Sequence, residues 1–219
     1  MSGKYLWLFD PGHGGMINGE YQTPGKRSPK FEDGRQLFEG EFNRAVVKRM
    51  GALCTEAGYD WLNLVDTEMD VPLRSRTDLA NDIYRRNLQQ DGLPCIFVSV
   101  HANAHTPTGK LEFNSAHGWE VFTTEGETKS DRVATVFYEE MEAVFPEKRF
   151  RSDYSDNDPD KEVNFFVLRK TVMPAILTEN FFMTNREEAE LLLSEEGRDR
   201  IAQAHFNAIQ RMEQSDSLL

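Results

Sequence analysis

Two histidines and several carboxylates stand where this chain is built to present chemistry. His13 lies in Asp10-Pro11-Gly12-His13-Gly14-Gly15, directly after the apolar run Tyr5 to Phe9. His101 follows the β-branched and aromatic run Cys95 to Val100, and Glu179 follows Pro174 to Thr178. Each run has the length and composition of a strand, and in an open α/β sheet ligand-handling groups collect at the carboxyl ends of strands. Imidazole and carboxylate are ligands that zinc accepts, and a catalytic zinc site commonly uses three protein ligands and keeps a fourth position open. His13, Glu41 and His101 make such a set from three separate elements. Glu179 is then the carboxylate left over, a base that takes a proton from water and passes it to a leaving amine. The same donors also suit iron.

Plainer readings stand beside each of these. His13 alone fits a tight turn with local hydrogen bonds, on a backbone that glycine permits. Glu41 alone fits the first turn of a helix, where the dipole favours an anion. Glu39 replaces Glu41 as a ligand if that helix starts earlier. Asp10 either orients a ligand histidine or closes the turn. Asn103 and Arg169 are candidates for contact with a substrate carboxylate, against an ordinary structural role. His105 lies in a loop four residues after His101, so its spacing carries little meaning. His117 precedes a strand and reads as surface. His205 falls on an apolar helical stripe as a satisfied, half-buried imidazole, and Phe181 and Phe182 read as packing.

The elements that must position these groups follow from periodicity. After the first strand a stretch broken by Gly19, Pro24, Gly25, Pro29 and Gly34 runs to about Phe38, a loop long enough to overhang a site. From Glu41, apolar residues recur at helical spacing through Ala57, and Gly58 supplies a stop. Tyr59 to Val65 alternates as a strand, and Pro72 opens a helix reaching about Gln90. Trp119 to Thr123 alternates again. Ser130 caps a helix closed by Pro146, and residues 147–162 form a charged, aperiodic, solvated loop. Asn164 to Arg169 and Met173 to Glu179 have strand composition. Thr184 with Glu187 forms a capping box, and a last helix runs from about Gly197 to Met212. Strands alternating with helices predict an α/β fold, one twisted, mostly parallel sheet of about six strands with helices on both faces. The whole of 1–219 reads as one domain, with a core over about 5–212 and a frayed tail at 213–219.

Composition narrows the partners. The 219 residues carry 25 Lys and Arg against 37 Asp and Glu, a formal charge of −12. Nucleic acid is excluded on that ground, because phosphate binding needs clustered cations. No apolar stretch approaches the roughly 18 residues of a membrane span, and the amino terminus lacks a signal-peptide pattern, so no membrane insertion is expected. Synthesis in the cytoplasm without a leader, and a monomer, are the simplest expectations. Cys54 and Cys95 read as buried free thiols, and no Cys-x-x-Cys pattern suggests a thiolate metal site.

Several blocks in order carry a resemblance: Asp10 to Gly15, Glu41-Phe42-Asn43, Arg76 with Ala80-Asn81, Ser99 to Ala104, Val167-Leu168-Arg169, and Pro174 to Asn185. Over residues 5 to about 212 the chain resembles the zinc-dependent N-acetylmuramoyl-L-alanine amidases of cell-wall turnover and lysis. The resemblance implies zinc ligation by His13, Glu41 and His101 and acid/base work by Glu179. It implies peptidoglycan as substrate, cut between the lactyl group of N-acetylmuramic acid and the first L-alanine, and an endolysin-like setting in which the enzyme reaches the wall after release or export. Pro11 and Asn180 stand where family members commonly have a small residue and a glycine. A wall-binding module without turnover and a metallopeptidase cutting elsewhere in the stem peptide are the rival readings.

Overall fold

The apolar runs form the strands they predict, and the order in which the strands lie side by side brings the candidate residues to one edge. The computed structural model describes residues 3–90 and 92–215. In chain order the elements are β1 (Leu6–Pro11), β2 (Met16–Ile17), β3 (Glu20–Tyr21), α1 (Glu39–Ala57), β4 (Asp60–Asn63), α2 (Leu73–Gln89) and β5 (Cys95–Asn103). There follow β6 (Glu120–Thr123), α3 (Lys129–Val144), β7 (Lys161–Glu162), α4 (Phe166–Lys170), β8 (Ala175–Phe182), α5 (Arg186–Leu193) and α6 (Glu195–Gln214). Six strands form one sheet in the order β4-β1-β5-β8-β6-β7, and β2 and β3 make a separate hairpin. The first four run parallel, whereas β6 is antiparallel to β8 and β7 is parallel to β6.

Alternation along the strands divides the core in two. Trp7, Phe9, Ile96, Val98, Val100 and Ile176 face α1, α3 and α6 in the larger cluster. Leu8, Cys95, Phe97, Phe122, Ala175 and Leu177 face the other way, towards Ala80 of α2 and Val167 and Leu168 of α4. That second layer is the thinner of the two. Both thiols are free and buried.

Local signals explain where expectations hold and where they shift. Gly58 ends α1 in the left-handed conformation, as its lack of a Cβ allows. α3 is capped by Thr128 in a box with Asp131, not by Ser130, whose hydroxyl accepts the Ala175 N–H instead. Asn185, not Thr184, caps α5 by accepting the Glu188 N–H, and Thr184 Oγ1 accepts from His105 N–H. The apolar run at 164–169 is not a strand. From Phe166 it turns helical, burying Val167 and Leu168 against the sheet, a distinction that periodicity cannot make in so short a run. The tail expected at 213–219 does not start at 213, since Glu213 and Gln214 are helical. α6 includes Glu213, whose carboxylate accepts the Trp7 indole N–H at 2.8 Å, and residues 216–219 lie outside the described residues.

His205 is fully rather than half buried, with Nδ1 2.9 Å from the Ile201 carbonyl and Nε2 3.1 Å from the Thr178 hydroxyl. Burial lowers its pKa to about 4, from 6.5, against the raising effect of the backbone bond. Below pH 6.5 the unfolded chain gains a proton that the folded protein refuses until about pH 4. This contribution to stability is therefore complete above 6.5 and lost as pH falls through that window. Thermal melts at about pH 7 and about pH 5 should show His205→Gln losing less stability than wild type on acidification. Equal losses would place the acid sensitivity elsewhere.

Candidate metal centre and active site

His13 is held in place by its own backbone. It adopts a left-handed conformation, φ 64°, that non-glycine residues rarely take. The left-handed residue of this turn is thus the histidine and not a neighbouring glycine. Two arginines fasten its carbonyl, Arg76 Nη2 at 3.1 Å and Arg44 Nη1 at 3.0 Å. Asn43 Nδ2 donates to the Gly12 carbonyl at 3.0 Å. The glycines serve close approach: a Cβ on Gly12 would lie 2.1 Å from the His101 ring, and one on Gly40 would lie 1.8 Å from the Gly14 oxygen. The start of α1 can therefore press against the His13 turn.

Asp10 contacts neither histidine. Its Oδ1 accepts from Arg76 Nη1 at 2.7 Å and its Oδ2 from Ser99 Oγ at 2.8 Å. Arg76 donates further to the carbonyls of Pro11 at 2.7 Å and Val71 at 2.8 Å. A buried arginine thereby ties α2 to the end of β1.

The carboxylate that meets the histidines belongs to Glu39. Its Oε1 lies 3.1 Å from His13 Nε2 and 3.0 Å from His101 Nδ1, and the two rings stand edge to face with centroids 4.9 Å apart. These three ligand atoms fall within 4.8 Å of one another. Glu41, expected in this position, accepts the Met16 N–H at 2.8 Å and fixes the β2 hairpin instead. The difference arises because α1 begins at Glu39, with the Gly40 N–H bound to the Tyr21 hydroxyl at 2.8 Å. Glu39 is 2% exposed and forms no pair with Lys or Arg among the described residues. Burial alone would raise its pKa, but the hydrogen bonds and charges of His101 and His13 outweigh it and hold the carboxyl ionised. Burial lowers the pKa of His13, which favours the neutral ring. A buried carboxylate that meets two imidazole nitrogens, and no Lys or Arg among the described residues, is a donor set that fits a divalent metal.

Glu179 stands on the adjacent strand, paired with His101 on one side and with Glu120 of β6 on the other. Its Oε2 is buried with no hydrogen-bond partner. Burial and then the charge of Glu39 push its pKa well above the usual carboxylate range, with Glu120 adding to the rise and Lys26 opposing it. Immediately afterwards β8 bulges: His101 pairs with Glu179 but Asn103 pairs with Phe182, so one extra residue is accommodated, and Phe181 takes φ 65°. Asn180 braces the bulge, donating to the His101 carbonyl at 2.9 Å and accepting the Trp119 indole N–H at 2.9 Å.

The remaining candidates divide. Asn103 reaches the site edge, where its Nδ2 donates to Glu120. Arg169 is exposed on α4 with its guanidinium over the Phe166 ring, 5.3 Å from the centroid. His105 and His117 are exposed, and the ring of His117 engages the Ser115 carbonyl at 2.8 Å. Phe181 and Phe182 are buried, as packing requires. Glu120, Arg151 and Lys161 went unrecognised in the sequence, because the last two sit in the charged, aperiodic stretch and Glu120 in an ordinary alternating strand.

A family model described as N-acetylmuramoyl-L-alanine amidase matches residues 8–211. The chain belongs to that family. It is 28% identical over 210 residues to the endolysin of Bacillus phage SPP1, covering 94% of this chain and 65% of that protein. It is 29% identical over 204 residues to an N-acetylmuramoyl-L-alanine amidase of Bacillus licheniformis, covering 93% and 67%. The chain thus spans about two thirds of the length of these relatives. Among solved structures it resembles an N-acetylmuramoyl-L-alanine amidase of Nostoc punctiforme, with a TM-score of 0.72 and 25% identity, covering 98% of this chain and all of that one.

In this amidase-family chain the two acids of the first α1 turn are separable by experiment. Glu39→Gln should weaken binding of a divalent metal at least about 100-fold, because a charged ligand is lost. Glu41→Gln should leave affinity within a few-fold of wild type. Competition with a chromogenic zinc chelator measures both, and the opposite ranking would return the ligand role to Glu41.

Proposed function

We propose that this chain hydrolyses the amide between the lactyl group of N-acetylmuramic acid and the first L-alanine of peptidoglycan. His13, Glu39 and His101 would hold zinc, and Glu179 would carry the proton. The observation that carries this reading is the meeting of a buried Glu39 carboxylate and two histidines with an unpartnered carboxyl on the next strand. When bound, zinc supplies a Lewis acid and makes water acidic enough to react near neutral pH. The chain's own residues do the rest. Glu179 accepts the proton of the attacking water and returns it to the alanine nitrogen as the carbon–nitrogen bond breaks. Its raised pKa suits the return of that proton to the leaving nitrogen. Arg76 and Arg44 hold the His13 turn, and the bulge braced by Asn180 fixes the end of β8. The loop before α1 brings the charge of Lys26 near both His13 and Glu179. Among the described residues no helix is long and apolar enough to cross a membrane.

The test is a digest of purified sacculi with zinc-loaded protein, scored by mass spectrometry. New L-alanine amino termini with intact muramic acid are expected, and chelation should abolish them. Cuts within the peptide would make the chain a peptidase, and binding without release would make it a wall-binding module.

A further inference from the structure

The chain is acidic overall, with a charge of −12, yet two cations gather on Glu120, the register partner of Glu179. Glu120, directly across from Glu179, is the anchor. Its Oε1 accepts from Asn103, while its Oε2 alone receives Arg151 Nε at 3.1 Å and the ammonium of Lys161. Two cations thus share one carboxylate, and the cluster keeps a net positive charge. The Glu120 side chain is 6% exposed, whereas those of Arg151 and Lys161 are 31% and 25% exposed. Arg151 uses only Nε on Glu120. The rest of its guanidinium lies over the Phe182 ring, 5.2 Å from the centroid, with no acceptor among the described residues for Nη1 or Nη2. Phe182 is in turn the register partner of Asn103, two residues beyond His101. A planar donor fork is therefore held by a carboxylate and an aromatic face at the rim of the metal centre.

We propose that Arg151, backed by Lys161, forms a subsite that binds a free carboxylate on the stem peptide, that of the γ-linked glutamate following L-alanine. The proposal rests on the amidase reading. Glu120 stands two strand spacings from His101, about 10 Å. An extended peptide covers that distance in about three residues at about 3.5 Å each. The first carboxylate within that span past the scissile amide is the α-carboxylate of the second residue, and a third residue bearing a carboxylate is the next. Where the second residue is amidated, the donor fork meets a neutral amide, and the charge-assisted part of the interaction is lost.

Soluble muramyl peptides with glutamate or isoglutamine at the second position, each with lysine or diaminopimelate at the third, separate the sources. Wild type should favour glutamate over isoglutamine by about tenfold in kcat/KM, carried mainly by KM. Arg151→Met, which keeps the stem over Phe182, should bring that ratio close to one, and Arg151→Lys should restore part of it. Melting curves identify any variant that has failed to fold, and Lys161→Met then gives a second, smaller reduction of the ratio. A preference that follows the third residue alone, or a ratio unchanged in Arg151→Met, overturns the assignment to the second residue. Equal cleavage of all substrates by wild type overturns the subsite and leaves the amidase reading standing. If wild type cleaves none, the amidase reading falls. The subsite is then judged by fluorescence polarisation of labelled glutamate and isoglutamine peptides, where equal affinities overturn it.

Discussion

Glu179→Gln is expected to lower the rate of peptidoglycan hydrolysis by about 100- to 10,000-fold, the usual contribution of a positioned acid/base. The same substitution should not weaken the fold. The carboxyl lies beside the ionised Glu39 and opposite Glu120, with one oxygen buried and unpartnered, so its charged form is disfavoured where it stands. A group whose folded pKa is raised contributes stability below its unfolded value of 4.5 and loses it as pH rises towards the folded value. The neutral amide escapes that loss, so the melting temperature of the variant should match wild type near pH 4.5 and equal or exceed it above. Zinc content should be retained, since the side chain is not among the three clustered donors. Soluble muramyl-peptide hydrolysis and metal analysis of the zinc-loaded protein, with melts of the metal-free protein, test all three. Residual activity above a tenth of wild type, with metal bound, would remove Glu179 from the proton path.

Arg76→Met carries the largest expected cost in stability, about 3–5 kcal/mol, because breaking a buried pair leaves the partner charge uncompensated. Arg76 and Asp10 are each 1% exposed, and the guanidinium donates to Asp10 and to three carbonyls, those of Val71, Pro11 and His13. The His13 bond makes the effect more than structural. A residue at φ 64° relaxes when its carbonyl is released, so metal affinity should also fall, by about 10- to 100-fold. Denaturant melts of the apo-protein and chelator competition measure the two effects. Adding Asp10→Asn should recover part of the stability by removing the orphaned charge, while the affinity stays low. Full recovery of both would mean that Arg76 acts on His13 only through overall stability.

How far the site could be read from the chain depended on what fixes each residue. His13, His101 and Glu179 follow uninterrupted apolar runs, and strands buried on both faces write themselves as such runs. Glu39 is different. Which acid of Glu39-Gly40-Glu41 faces the histidines depends on where α1 begins, and no side chain of the preceding residue caps it. The start is set by Tyr21, whose hydroxyl takes the Gly40 N–H, and by the Gly14 carbonyl packed against Gly40. Both are tertiary contacts, although a glycine inside a first helical turn was a visible sign of close approach. Arg151 was hidden for a related reason. It sits in an aperiodic charged stretch, and only the pairing of 149–151 beside Trp119 brings it to Glu120. Conversely, Phe165 to Leu168 misled because a buried helical turn and a buried strand share the same composition.

The extra residue in β8 governs how this strand can vary. Up to Glu179, odd-numbered side chains point to the thin layer and, at Glu179, towards Glu39, whereas Ile176 and the Thr178 and Asn180 side chains turn the other way. Beyond the bulge the parity reverses: Phe181 and Met183 join the larger core, and Phe182 lies under Arg151. Deleting Phe181 would not shift the register; it would restore plain alternation, with Phe182 still opposite Asn103 and Met183 still facing the core, and it would take only the Phe181 ring out of the larger core. Drift along this strand is accordingly confined to substitutions that respect two opposite phases, with Asn180 as the fixed point between them.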